Sequence, residues 1–168
     1  YPSWADCALD IANIGRLSVY QSAIPDSEKF VALKKITLLD SLGDAEIWEL
    51  VHAGKWSRVP ARSVIVREGE EGKSLFFLGS GQAKVTKQGR LLNLLDAGEC
   101  VGEMAYDKEN GMARQATVET IDDVLLVEFK HEQLDKASLR CRHQLNIALM
   151  HSLVDRLSLA DERLVRAG

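Results

Sequence analysis

Residues 102 to 118 read Gly102-Glu103-Met104-Ala105, a short acidic connection through Asp107 and Glu109, and then Ala113-Arg114-Gln115-Ala116-Thr117-Val118. A glycine that opens a helical turn and an arginine that heads a strand together describe an anion pocket. The turn presents unpaired backbone N–H groups and the positive end of its dipole, and arginine supplies a planar fork of donors that matches phosphate oxygens. Glu103 is out of place against a bare phosphate, which it would repel. A ligand that also carries hydroxyls explains it, because a carboxylate accepts hydrogen bonds from them. Phosphate beside a ribose is the simplest such ligand.

On both sides of this stretch the hydrophobic pattern has the period of strands. From Lys55 to Phe129 it consists of short β-branched or aromatic runs punctuated by glycine: Val64 to Val66, Leu75 to Leu78, Ala83 to Thr86, Leu91 to Leu95, Ala116 to Thr120 and Val124 to Phe129. Many short strands with regular turns predict a sandwich or a barrel. Helices flank them. Phe30, Val31, Leu33, Ile36, Leu38 and Leu39 recur near helical spacing from Asp26 to Leu39, with Asp26 or Ser27 as the cap, and a second helix follows from about Asp44. From His131 to Val165 the chain is helical again, with a break near Ser138.

Composition narrows the class of function. A chain of 168 residues, 46% apolar and 27% charged, is one globular domain with extensions. Its net charge of −4 argues against a nucleic-acid surface, which has to neutralise phosphates. Three cysteines without a close pair suggest neither a disulfide framework nor a metal site, and fit reduced thiols in a cytoplasm. No apolar run reaches bilayer length and no signal segment opens the chain, so no membrane partner is expected. The four histidines lack metal-ligand spacing, and no nucleophile elbow or Walker loop is present. The chain is therefore expected to be neither an enzyme nor a holder of a metal or cofactor.

The 102 to 118 segment resembles the phosphate-binding cassette of cyclic nucleotide-binding domains, the module of catabolite activator proteins and of protein kinase A regulatory subunits. Arg67-Glu68-Gly69-Glu70-Glu71-Gly72 is similar to that family's Arg-Glu-Gly-Asp turn, and Leu78 to Val85 to its Ser-Gly-x-Val-x-Val hairpin; Gly89 and Gly98 fall at its later turns. The resemblance covers roughly residues 36 to 165. It implies a double-stranded β-helix, or jelly-roll, barrel that is mainly β, with N-terminal helices and a long C-terminal helix at about 139 to 166. The domain proper would be residues 28 to 168, and residues 1 to 27 an extension or linker. The ligand implied is cyclic AMP or cyclic GMP, held by Arg114 on the phosphate, Glu103 on the ribose 2′-hydroxyl, backbone groups of Gly102, Met104 and Ala105, and Gln115 and Ala116 beside them. Binding would pull the loop inward and bias an attached effector.

Departures from the family pattern fall inside the cassette. Arg114 lies eleven positions after Glu103, where nine or ten are usual; Ala113 replaces proline; Val101 replaces an aromatic residue. Gln115 follows the arginine where kinase A-like domains have alanine. Its amide would either read a purine edge or fill the pocket. A second function class therefore stands beside the first: the same fold used for dimerisation and docking, without a ligand.

Two further expectations concern partners. Met150, Leu153, Leu157, Ala160 and Leu164 are spaced three, four, three and four, which is the seam of a heptad repeat or, equally, a face packed on the chain's own barrel. The resemblance favours the former and implies a homodimer through the C-terminal helix. Tyr1-Pro2-Ser3-Trp4 with Leu9, Asp10 and Ile11 is similar to the closing helix of eukaryotic-like protein kinase domains. That similarity implies an upstream serine/threonine kinase of a bacterial type, joined through Ile14 to Ser27.

Overall fold

The computed structural model describes residues 24 to 102 and 113 to 167. In chain order its elements are α1 (Asp26–Lys34), a 3-10 turn (Thr37–Leu39), α2 (Asp44–Ala53), β1 (Lys55–Val59), β2 (Val64–Val66), β3 (Leu75–Ser80), β4 (Ala83–Lys87), β5 (Arg90–Leu95), β6 (Cys100–Val101), β7 (Thr117–Thr120), β8 (Val124–Phe129), α3 (His131–Leu134) and α4 (Leu139–Ala167). The kinase-like stretch at 1 to 11 and its linker, up to residue 23, lie outside the described residues.

The apolar runs of β3 and β8 have almost no polar face, which marks strands covered on both sides. Their side chains divide by alternation. Leu75 and Phe77 of β3, with Leu125, Val127 and Phe129 of β8, meet Leu33, Ile47, Leu50, Cys141 and Leu145 of the helices. The Phe77 and Phe129 rings meet edge to face at 5.9 Å. Phe76, Leu78, Val124 and Leu126 point the other way, onto Val66, Ala83, Leu95 and Val118. One face of this sheet thus carries the helices and the other carries the second sheet.

The strands form two antiparallel sheets of four, in the orders β1-β8-β3-β6 and β2-β7-β4-β5. This corrects the expected closed barrel: among the described residues no ladder joins one sheet to the other. The strands run from two to six residues, too short to bend out of one sheet and continue in the next. β1 and β6 escaped the sequence reading. Trp56 and Val59 are the apolar residues of β1 in an otherwise polar run, and β6 has two residues.

The helix expected over Asp26 to Leu39 is also corrected. It ends at Lys34, and Ile36 is extended before the 3-10 turn. Leu33, Ile36 and Leu39 are all buried and are spaced three apart. An α-helix turns 3.6 residues per revolution and would carry the third of them off the core face, whereas a 3-10 turn keeps three-residue spacing in line. Asp26 and Ser27 lie within the helix and Pro25 precedes it, without a side-chain capping bond.

The expected break near Ser138 is present. The Ser138 hydroxyl accepts from the Cys141 N–H at 3.1 Å as the N-cap of α4, and Ser138 N–H and O–H both donate to Glu49 of α2 at 2.8 Å. Cys141, Leu145, Ala148 and Leu149 bury the first half of α4. From Leu153 to Ala167 every residue is exposed, so the second half of α4 adds no side chain to the core. No helix among the described residues is long and apolar enough to cross a membrane.

Candidate functional site

Arg114 lies just before β7 and is sewn to the turn that follows β2. Its N–H donates to the Glu70 carbonyl at 2.9 Å, and its carbonyl accepts from Gly69 at 2.8 Å. Gly69 adopts φ +84°, a left-handed conformation that suits glycine, which allows the turn to present both groups. These bonds aim the Arg114 side chain inward between the sheets, where it is 8% exposed.

The guanidinium is packed rather than solvated. Nη2 donates to the Ser74 carbonyl at 2.9 Å, and the group sits 5.8 Å from the Phe76 ring centre. Nη1 is buried and has no hydrogen-bond partner among the described residues. Two glycines make room for this. A β-carbon at Gly72 would lie 2.7 Å from Nε and Nη2, and one at Gly102 would collide with Nη1. Gly102 has φ +88°, so it is required both for its backbone and for its missing side chain. Burial pushes the Arg114 pKa down from its ordinary value, and the carboxylate of Glu128 acts in the opposite direction.

A cavity of about 680 Å³ opens beside this group. Val66, Val85, Leu95 and Val118 give it apolar walls, and Gly102, Arg114, Gln115 and Ala116 lie along one side. Its size and its mixture of apolar wall and few polar groups suit a small organic ligand. Arg156, Leu159, Ala160 and Arg163 of α4 form part of the lining, on a helix face spaced three, one and three. Arg156 donates to the Cys100 carbonyl at 3.2 Å, fixing that stretch of helix over the cavity.

Of the seven expected site residues, four line this one cavity: Gly102, Arg114, Gln115 and Ala116. Glu103, Met104 and Ala105 lie outside the described residues, as does the connection up to Met112. Sequence reasoning missed the α4 face, and also Ser74, Asn93 and Glu99. The arginines at 156 and 163, seven apart on a helix, were the available signal; the apolar seam beside them drew the reading away. Of the seam, Ala160 lines the cavity, whereas Leu157 and Leu164 do not pack on the sheets: Leu157 is 65% exposed and Leu164 71%.

Comparison with known proteins bears on this geometry. Residues 56 to 140 match the model of the family described as "Cyclic nucleotide-binding domain". The chain is similar to a cAMP-dependent protein kinase regulatory subunit of Debaryomyces hansenii, 37% identical over 95 residues that make up 56% of this chain and 21% of that protein. This chain therefore spans about a fifth of that relative's length. Among solved structures it is similar to a cyclic nucleotide-binding domain from Methylobacillus flagellatus, with a TM-score of 0.72 and 20% identity over 85% of this chain and 84% of that one. It is also similar to the catabolite activator protein of Thermus thermophilus, with a TM-score of 0.67 and 26% identity over 77% of this chain and 62% of that one.

Proposed function

The chain belongs to the cyclic nucleotide-binding domain family, and from that premise we propose that it is a regulatory module that binds cyclic AMP or cyclic GMP and biases an attached effector. The observation that carries this is Arg114: a guanidinium 8% exposed, with one donor unmet among the described residues, beside a cavity of about 680 Å³ and against a glycine that cannot carry a side chain there. A buried cation with a spare donor is costly unless an anion completes it. The phosphate of a cyclic nucleotide supplies that anion, the apolar walls accept the sugar and base, and Glu103 takes the ribose hydroxyl.

The effector is proposed to be a protein kinase, as the D. hansenii relative's name suggests by analogy. Coupling runs through α4, whose Arg156, Leu159 and Arg163 line the cavity and whose start is held to α2 by Glu49 and Ser138. A ligand shifts α4 only to the extent that it prefers one position, typically about 1–3 kcal/mol. The exposed half of α4 supports a homodimer. Fifteen helical residues without a buried side chain are marginal alone in water, and the exposed seam supplies a surface for a second copy.

Calorimetric titration with cyclic AMP and with cyclic GMP tests the ligand, with Arg114→Ala as control. Micromolar or tighter binding is expected, weakened by about 2–5 kcal/mol in the variant because the phosphate loses its charge partner. Affinity unchanged in Arg114→Ala would refute the phosphate site. Absence of heat and of a thermal shift with both nucleotides would leave the second reading, a dimerisation and docking module, which the α4 side chains over the cavity and Gln115 along its side favour.

A further inference from the structure

We propose that Glu128 is the resident counter-anion of Arg114, coupled to it through Ser74, and that it lowers the pocket's affinity for phosphodiesters while stabilising the empty domain. This rests on the phosphate role of Arg114 above. Along β8 the side chains alternate, and Val124 and Leu126 face the second sheet. Glu128 continues that inward row, opposite Phe76 of β3, where the pattern calls for another apolar residue. A carboxylate in such a row requires partners. Its side chain is 21% exposed, accepts from the Ser74 hydroxyl at 3.0 Å and lies 3.6 Å from Lys130 Nζ.

Ser74 makes the link. Its hydroxyl donates to Glu128 while its carbonyl accepts from Arg114 Nη2 at 2.9 Å. The same residue that orients the guanidinium is thus tied to the carboxylate, and the Glu128 charge favours the cationic form of Arg114. In the empty pocket this attraction compensates a buried cation. When a phosphodiester arrives, the guanidinium faces two anions, and the repulsion between them opposes binding.

Glu128→Gln separates the charge from the contact, because the amide oxygen still accepts from Ser74 and the volume is kept. The expected result is an affinity for cyclic AMP higher by about threefold to tenfold, together with a lower unfolding midpoint of the ligand-free protein. Structural damage alone lowers both quantities, so a gain in affinity at reduced stability is specific to a counter-charge. Lys130→Ala, which removes the ion pair of Glu128 with Lys130, is the control and should not raise the affinity by the same factor. A cycle of Glu128→Gln and Arg114→Met on the ligand-free midpoint needs no nucleotide: Glu128→Gln should destabilise the Arg114 background more than the Met background. If Glu128→Gln does not fold, Glu128→Asp, which withdraws the carboxylate, should raise affinity by about twofold. Unchanged or weaker affinity in the folded variant, or equal midpoint losses in both backgrounds, overturns the proposal. Failure of the unsubstituted protein to bind overturns the affinity half and the function together, while coupling in the cycle would still uphold the ion pairing.

Discussion

Gly102→Ala tests whether the pocket depends on a contact that only glycine permits, and Gly89→Ala supplies its control. Both glycines have left-handed backbone, φ +88° at Gly102 and φ +77° at Gly89. An L-residue there costs about 1–2 kcal/mol at either position. They differ in surroundings. A β-carbon at Gly89 meets nothing within 4 Å, whereas one at Gly102 collides with Arg114 Nη1 and lies 2.8 Å from the Ser74 carbonyl oxygen. Overpacking of this kind adds about 1–3 kcal/mol. Gly89→Ala should therefore lower the unfolding midpoint by about 2–8 °C, and Gly102→Ala by about 4–20 °C, at about 2–4 °C per kcal/mol for a domain of this size. Gly102→Ala also displaces the guanidinium, so cyclic nucleotide binding should fall with it, while Gly89→Ala should bind as the parent does. Combining Gly102→Ala with Arg114→Ala should recover part of the added loss and not all, because the Ser74 carbonyl stays in the way. Thermal unfolding and titration of these three variants, with Arg114→Ala alone beside them, read all of this. Equal midpoint losses for the two single alanines, or full binding by Gly102→Ala, would refute the reasoning.

The other expectations are simpler. Leu157→Glu should abolish the dimer in sedimentation while leaving the unfolding midpoint of the dilute protein within about 1–2 °C, because Leu157 is 65% exposed in the single chain; a dimer that survives the substitution would show that the seam is not the interface. The Cys141 thiol, buried against α2 with Glu49 and Glu46 nearby, is pushed up to about 11 from an ordinary 9.0. A raised folded-state pKa stabilises fully below pH 9 and loses that contribution as pH rises through 11, so stability in urea should decline across this window and decline less in Cys141→Ala. Equal declines in the two proteins would contradict it. Cys100 is raised as well, by burial foremost, and adds to the decline in both.

The sequence by itself determined most of the local elements and singled out Arg114, which lines the cavity. Glycine turns at Gly69, Gly81, Gly89 and Gly98 were legible because each takes positive φ, which few other residues tolerate. The apolar run of β3 between them was legible because both its faces are buried. Arg114 could be singled out because the residues that position it are its chain neighbours or a recognisable turn. What the tertiary structure decided depends on distant residues. The helix expected to Leu39 breaks at Lys35 and Ile36 because the core wants Leu33, Ile36 and Leu39 together. The sheets stay separate because short strands cannot cross between them. Glu128 and Ser74 acquire meaning only where β8 lies beside β3, fifty-four residues away along the chain, and α4 offers one face to the cavity and another to solvent because only half of it packs on the body. Periodicity reports which residues share a face; the packing of separate segments decides what that face meets.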